Sequence, residues 1–132
     1  MADGTTFGAF IREKRINAEP SISLRKMAEL LNLSPVYMSD IETGREYAPK
    51  SEVLTNLTRI LKLNKSEQDE MYELAAKTKL NDPVPADLPD YISSNEYARI
   101  ALRMARDVDA TDTEWQEFIE KLKRRSEHQE DE

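Results

Sequence analysis

The stretch "LRKMAELLNLSPVYMSDIETG", Leu24 to Gly44, decides how the chain is read. Ser23 stands before it as a helix N-cap, and Met27, Ala28, Leu30 and Leu31 give the helix that follows a side to bury. Asn32 suits a left-handed turn at the end of that helix. Ser34 and Pro35 then open another helix. Ser is the N-cap, and Pro takes the first helical position, where its missing N–H costs nothing. Gly44 ends it. Two short helices are therefore joined by a very tight turn.

Such a joint has three requirements. The helices need a small residue where they touch, which Ala28 supplies. The turn needs a residue tolerant of positive φ, which Asn32 supplies, and the second helix needs apolar anchors, which Leu33, Met38 and Ile41 supply. The set in register is the spacing of a helix-turn-helix, whose second helix lies in a DNA groove. That second helix nevertheless carries Asp40 and Glu42, with Glu46 just beyond, against a single Arg45. A net-acidic element facing a polyanion requires explanation.

The helical period separates the acids. At about 100° per residue with Met38 at zero, Ile41 falls at about 300°, so the outward direction is at about 150°. Val36 lands at about 160°, Thr43 at about 140°, Ser39 at about 100° and Asp40 at about 200°, all on the outward side. Glu42 lands at about 40°, on the core side, and is not a groove residue. Asp40 is repelled by phosphate but is able to accept from cytosine N4 in the major groove. It reads either as a base reader or as a solvated bystander. Val36 offers apolar contact of the kind a thymine methyl accepts, and Tyr37 reaches a phosphate or packs at the rim. Phosphate binding then falls to the backbone N–H groups at the starts of the two helices, the second of which Ser34 and Pro35 open, and to Arg25, Arg45 and Lys50.

Helical spacing continues on both sides of this stretch, and strand-like alternation is hard to find. Phe7, Phe10 and Ile11 mark a helix over about 6–17, which Pro20 separates from the next. Val53, Leu54, Leu57, Ile60 and Leu61 share one face of a helix over about 51–63, and "NKSEQDEMYELAAKT" follows as another. Pro83, Pro85 and Pro89 forbid regular helix and mark residues 81–92 as a linker after a domain over 6–80. Residues 93–125 form a C-terminal helical region for dimerisation or partner binding. In its first helix Tyr97, Ile100, Ala101, Met104, Ala105 and Val108 share a face, with Ser93 and Glu96 as a capping box. In its second, Thr111 and Glu114 form the box, and Trp115, Phe118, Ile119 and Leu122 form a stripe that reads as core or dimer interface. Residues 126–132 read as a disordered acidic tail.

Charge follows the same division. The 132 residues carry a net charge of −7, with 39% apolar and 34% charged residues. Residues 1–63 hold nine bases and eight acids, whereas residues 81–132 hold seven bases and fourteen acids. The first part is able to approach DNA and the second is not. There is no cysteine, which excludes disulfides and thiolate metal sites. No apolar run approaches the ~18 residues of a membrane span, and the N-terminus lacks the pattern of a secretory signal, so a cytoplasmic protein is expected. With three glycines there is no Gly-rich phosphate loop. The single His128 stands in the acidic tail, and no carboxylate is spaced with a nucleophile. No catalytic residue, metal site or cofactor is expected, and the chain does not read as an enzyme.

The residues from "FIREKR" through "ISLRKMAELLNLSPVYMSDIETGRE" resemble the phage-repressor-like (Xre, Cro/C1-type) helix-turn-helix transcriptional regulators. That family's pattern is matched at Ile11, Arg12, Arg15, Ser23, Met27, Ala28, Leu33, Ser34, Met38, Ser39, Ile41, Glu42 and Gly44. Leu24 stands where the family has a Gln that often touches DNA, and Asn32 stands at the turn Gly. The resemblance implies an all-α fold: a five-helix lambda-repressor-like domain with a small C-terminal pair of helices. It also implies that Glu42 pairs with Arg15, tying the recognition helix to the first helix as a structural ion pair. The function implied is sequence-specific binding of double-stranded DNA as a homodimer on a palindromic operator, in repression. The alternative is an antitoxin or immunity-type protein whose C-terminal region neutralises a protein partner.

Overall fold

The computed structural model describes residues 5–79 and 84–130, with side chains to residue 127. Residues 80–83 and 131–132, which include parts of the expected linker and tail, and the His128 side chain lie outside the described residues. The described residues form eight helices: α1 Phe7–Ile16, α2 Leu24–Leu30, α3 Pro35–Thr43, α4 Ser51–Ile60, α5 Lys65–Ala76, α6 Pro89–Ser94, α7 Glu96–Asp107 and α8 Asp112–Glu130. The fold is all-helical. The chain divides into two compact units, Met1–Asp90 and Tyr91–Glu132.

The N-terminal unit owns a real core. Phe7, Ile11, Met27, Met38, Leu57 and Met71 are almost wholly shielded from water. α1 lies against α3 and α5, and α2 against α3, so every helix of this unit contributes to one cluster. Gly8 makes the approach of α1 to α3 close. A Cβ there would stand 2.3 Å from the Glu42 carbonyl oxygen and 2.5 Å from that of Ile41, inside any allowed contact. Leu30, expected on the buried side of α2, is instead 46% exposed. It lies three residues past Met27, at the end of a seven-residue helix whose buried residues are Met27 and Ala28.

One turn geometry recurs through the chain. The left-handed residues Asn32, Lys62 and Asp109 have φ of 60°, 53° and 54°. In each case the next residue donates its N–H to the carbonyl five positions back: Leu33 to Ala28 at 2.8 Å, Leu63 to Thr58 at 3.0 Å and Ala110 to Ala105 at 2.8 Å. This is the Schellman closure of a helix C-terminus. A capping residue follows each time, namely Ser34, Asn64 and Thr111. "LNLS", "LKLN" and "VDAT" are thus one device with an apolar residue on each side of the left-handed position. Gly44, with φ 85°, closes α3 the same way, as Arg45 donates to the Asp40 carbonyl at 2.9 Å.

Three boundaries differ from expectation. α6 forms at Pro89–Ser94 inside the stretch expected to be irregular, because Pro89 occupies a first helical position that needs no N–H donor. The N-cap of α7 is Asn95, which accepts from the Ala98 N–H at 3.0 Å; Ser93 is spent inside α6 and does not form the expected box with Glu96. α8 continues to Glu130, so residues 126–130 have helical backbone where a disordered tail was expected. The Thr111–Glu114 box forms, with both reciprocal hydrogen bonds at 3.0 and 3.2 Å.

Candidate nucleic-acid interface

α3 is presented by its caps and by one ion pair. Ser34 Oγ accepts from the Tyr37 N–H at 3.1 Å, Pro35 occupies the first turn, and Gly44 releases the chain. Met38 and Ile41 are buried beneath the helix, Val36 is 71% exposed and Thr43 is exposed. Ser39 and Asp40 are half-buried along the edges of that outward strip. The Asp40 side chain is not held by any hydrogen bond among the described residues, so it is free to accept from an incoming donor. Tyr37 packs against the core and, with Lys50, Glu46 and Tyr47, lines a groove of about 380 Å³ beside the loop after α3.

Glu42 faces inward onto α1. Its two carboxylate oxygens accept from Arg15 Nε at 2.8 Å and Nη2 at 2.9 Å, the two-pronged geometry that a guanidinium makes with a carboxylate. The third arm of the fork, Nη1, donates to the Ile22 carbonyl at 2.9 Å. Side-chain exposures of 9% and 4% make this a desolvated pair with its hydrogen bonds satisfied. The Glu42 hydrogen bond, opposed by desolvation, raises the Arg15 guanidinium above its already high ordinary value, so Arg15 stays charged. The interaction welds α1, the α1–α2 link and α3 together, and removes one of the three acids from the outward face.

The bases expected to meet phosphate stand in water. Arg25 is exposed near the start of α2, Arg45 follows Gly44, and Lys50 precedes α4. Lys50 has Glu52 at 3.8 Å with both side chains largely exposed, a contact too solvated to hold it. The structure pairs Arg15 with Glu42 and sets Tyr37 and Lys50 along one groove; Arg25 stands apart on α2.

Some supports carried no readable sequence signal. Gly8 permits the α1–α3 contact. Thr78 accepts from the Ala48 N–H at 2.9 Å and donates to the Ala75 carbonyl at 2.7 Å, tying the loop after α3 to the end of α5. Lys14 reaches Glu67 at 2.6 Å, joining α1 to the start of α5, and its hydrogen bond holds the Glu67 carboxyl below its ordinary value, helped by the Asn64 backbone N–H. Lys14 and Glu67 are far apart in sequence, and only the tertiary fold pairs them. Among the described residues no group of three His, Cys, Asp or Glu side chains is placed to hold a metal ion, and no helix is long and apolar enough to cross a membrane.

Comparison with known proteins agrees with this geometry. The helix-turn-helix domain family matches residues 6–71, from the cap of α1 into α5. The "ImmF control region 10 kDa protein" of Bacillus phage phi105 is 38% identical over 64 residues, which cover 48% of this chain and 68% of that protein. No solved structure matches the chain.

Proposed function

The chain belongs to the helix-turn-helix family of DNA-binding regulators, and from that premise we propose that it is a sequence-specific transcriptional repressor acting as a homodimer on a palindromic operator. The observation that carries the reading is the buried Arg15–Glu42 fork, which turns one acid inward and leaves α3 an outward strip of Val36, Ser39, Asp40 and Thr43. Half-sites lie about one helical turn, ~34 Å, apart. Ser34, Pro35, Val36, Tyr37, Ser39 and Asp40 meet the groove and its rim, while Arg25, Arg45 and Lys50 meet phosphate. With this few bases, non-specific attraction is modest, so groove contacts and the avidity of two half-sites supply most of the affinity. Kinship to a phage control-region protein supports a role in regulating genes, and a cytoplasmic location is in keeping with a DNA partner.

The test is selection of bound sequences from random duplex DNA at low salt. A palindromic consensus is expected, and no enrichment overturns the reading. A second reading, that the C-terminal unit binds a protein of different sequence, rests on its exposed apolar residues. A chain truncated after residue 90 separates the two: lost dimerisation and operator affinity favour the first, and retained operator affinity with loss of a co-purifying protein favours the second.

A further inference from the structure

The C-terminal unit lacks an interior. No described side chain from Tyr91 to Glu127 is buried, and on α8 Trp115, Phe118, Ile119 and Leu122 are 37%, 51%, 48% and 45% exposed. Trp115 and Phe118 lie on one face with ring centroids 6.4 Å apart. They line an apolar groove of about 320 Å³ opposite Met104 and Ala105 of α7. A unit of this size with no core does not hold its shape without further burial.

The charges on α8 specify what covers this face. With the apolar stripe as the zero direction, Asp112 and Lys123 fall at about 70° and 90° on one flank, and Arg125 and Glu114 at about 70° and 90° on the other. Glu117, Glu120 and Arg124 point away, at about 150° or more. A two-fold axis midway between Phe118 and Ile119 exchanges Trp115 with Leu122 and Phe118 with Ile119, so the stripe meets itself. Such an axis keeps each flank on its own side. It sets Asp112 against Lys123 of the second copy and Glu114 against Arg125 of the second copy, each offset by about 3 Å along the helix. All four flanking contacts of the pair are then attractive, whereas a parallel pairing in register opposes like charges. Favourable charge–dipole placement also puts acids first and bases last on a helix. It does not require them to flank the apolar stripe, nor the stripe to be symmetric about its own centre. Among the described residues two local partners compete: Glu120, at 3.5 Å from Lys123, is exposed and competes weakly, and Thr111 donates its N–H and hydroxyl to Oε1 of Glu114, which leaves Oε2 for Arg125 of the second copy.

We propose that a second copy of this chain covers the face: α8 pairs antiparallel with α8 of the second copy through Trp115, Phe118, Ile119 and Leu122, locked by the Asp112–Lys123 and Glu114–Arg125 contacts. This rests on the homodimer reading above and gives it an interface and a direction. The test uses the full chain in two variants, Asp112→Lys with Glu114→Lys, and Lys123→Glu with Arg125→Glu. Sedimentation equilibrium is expected to show each variant with a dimer dissociation constant raised about tenfold or more, because four attractions become four repulsions. Mixing the two is expected to restore dimers containing one of each, read by native mass spectrometry. Unchanged helical circular dichroism and melting of the N-terminal unit show that folding is intact. An unmodified chain that remains monomeric at every concentration overturns both the inference and the homodimer reading. A dimer unmoved by either charge swap, or not rebuilt on mixing, overturns the antiparallel pairing alone.

Discussion

The two units are built with the same local devices and end in opposite conditions. The α2–α3 and α7–α8 joints share the Schellman closure, a left-handed polar residue and a capped second helix. Both second helices carry an apolar stripe. Beneath α3, Met38 and Ile41 are 1% and 2% exposed; on α8 no stripe residue falls below 37%. The difference lies in what the rest of the chain supplies. α1 packs over α3, anchored by the Arg15–Glu42 fork and backed by α5, whereas the described residues give α8 no comparable cover. Amphipathic spacing states that a face is to be buried, and does not state by what.

Glu42→Ala leaves the Arg15 guanidinium buried and unpaired, and a loss of about 3–5 kcal/mol is expected in denaturant unfolding. An unchanged melting temperature would show that the fork is ornamental and that packing alone distinguishes the units. Next come matched truncations. Leu57→Ala is expected to cost about 2–5 kcal/mol in unfolding of the N-terminal unit, and Leu122→Ala to leave that transition within about 0.5 kcal/mol. Equal costs would mean that Leu122 is as deeply engaged in that transition as Leu57.

Gly8→Ala places a methyl against the backbone of Ile41 and Glu42, and backbone cannot swing aside as a side chain does. A loss at the upper end of the ~1–3 kcal/mol typical of overpacking is expected, together with weakened operator binding as α3 shifts. Retained stability would show that α1 and α3 have room to separate. Asp40→Ala is expected to relax preference at one base pair by about 1–3 kcal/mol in competition binding. Uniformly tighter binding to every sequence would instead identify Asp40 as a source of repulsion only.

The smallest effect concerns Glu67, whose folded carboxyl is held below its ordinary value of 4.5 by Lys14. Its contribution is therefore present above that value and lost as pH falls through the lower folded value. At this partly exposed site the contribution is below ~1 kcal/mol. Glu67→Gln should lower neutral stability by less than ~1 kcal/mol and leave stability at acid pH nearly unchanged, which flattens the acid limb of the stability–pH profile; an unaltered acid limb would show that Lys14 and Glu67 are held apart in solution.

Much of the site was legible because its signals are local. Ser23, Ser34 and Gly44 are caps and a stop whose effect reaches only a turn away, and the helical period alone set Glu42 inward and Asp40 outward. The Arg15–Glu42 pairing came from resemblance, since nothing local connects residues 27 positions apart. Gly8, Thr78 and the Lys14–Glu67 bridge were not legible, because each has meaning only once distant backbone arrives beside it. Ser93 misled because two short helices compete for it, and the α6 backbone used it before α7 began.

By itself, then, the sequence determined the helices of the N-terminal unit, the turn that joins α2 to α3, and which acids avoid the outward face, since capping, left-handed turns and helical period act over a few residues. Only the tertiary structure decided that Arg15 is forked onto Glu42, that Gly8 lets α1 touch α3, that Leu30 stays in water and that the stripe on α8 is uncovered. Those are matters of which surfaces meet, and burial depends on the partner a face receives, a property that no single helix encodes.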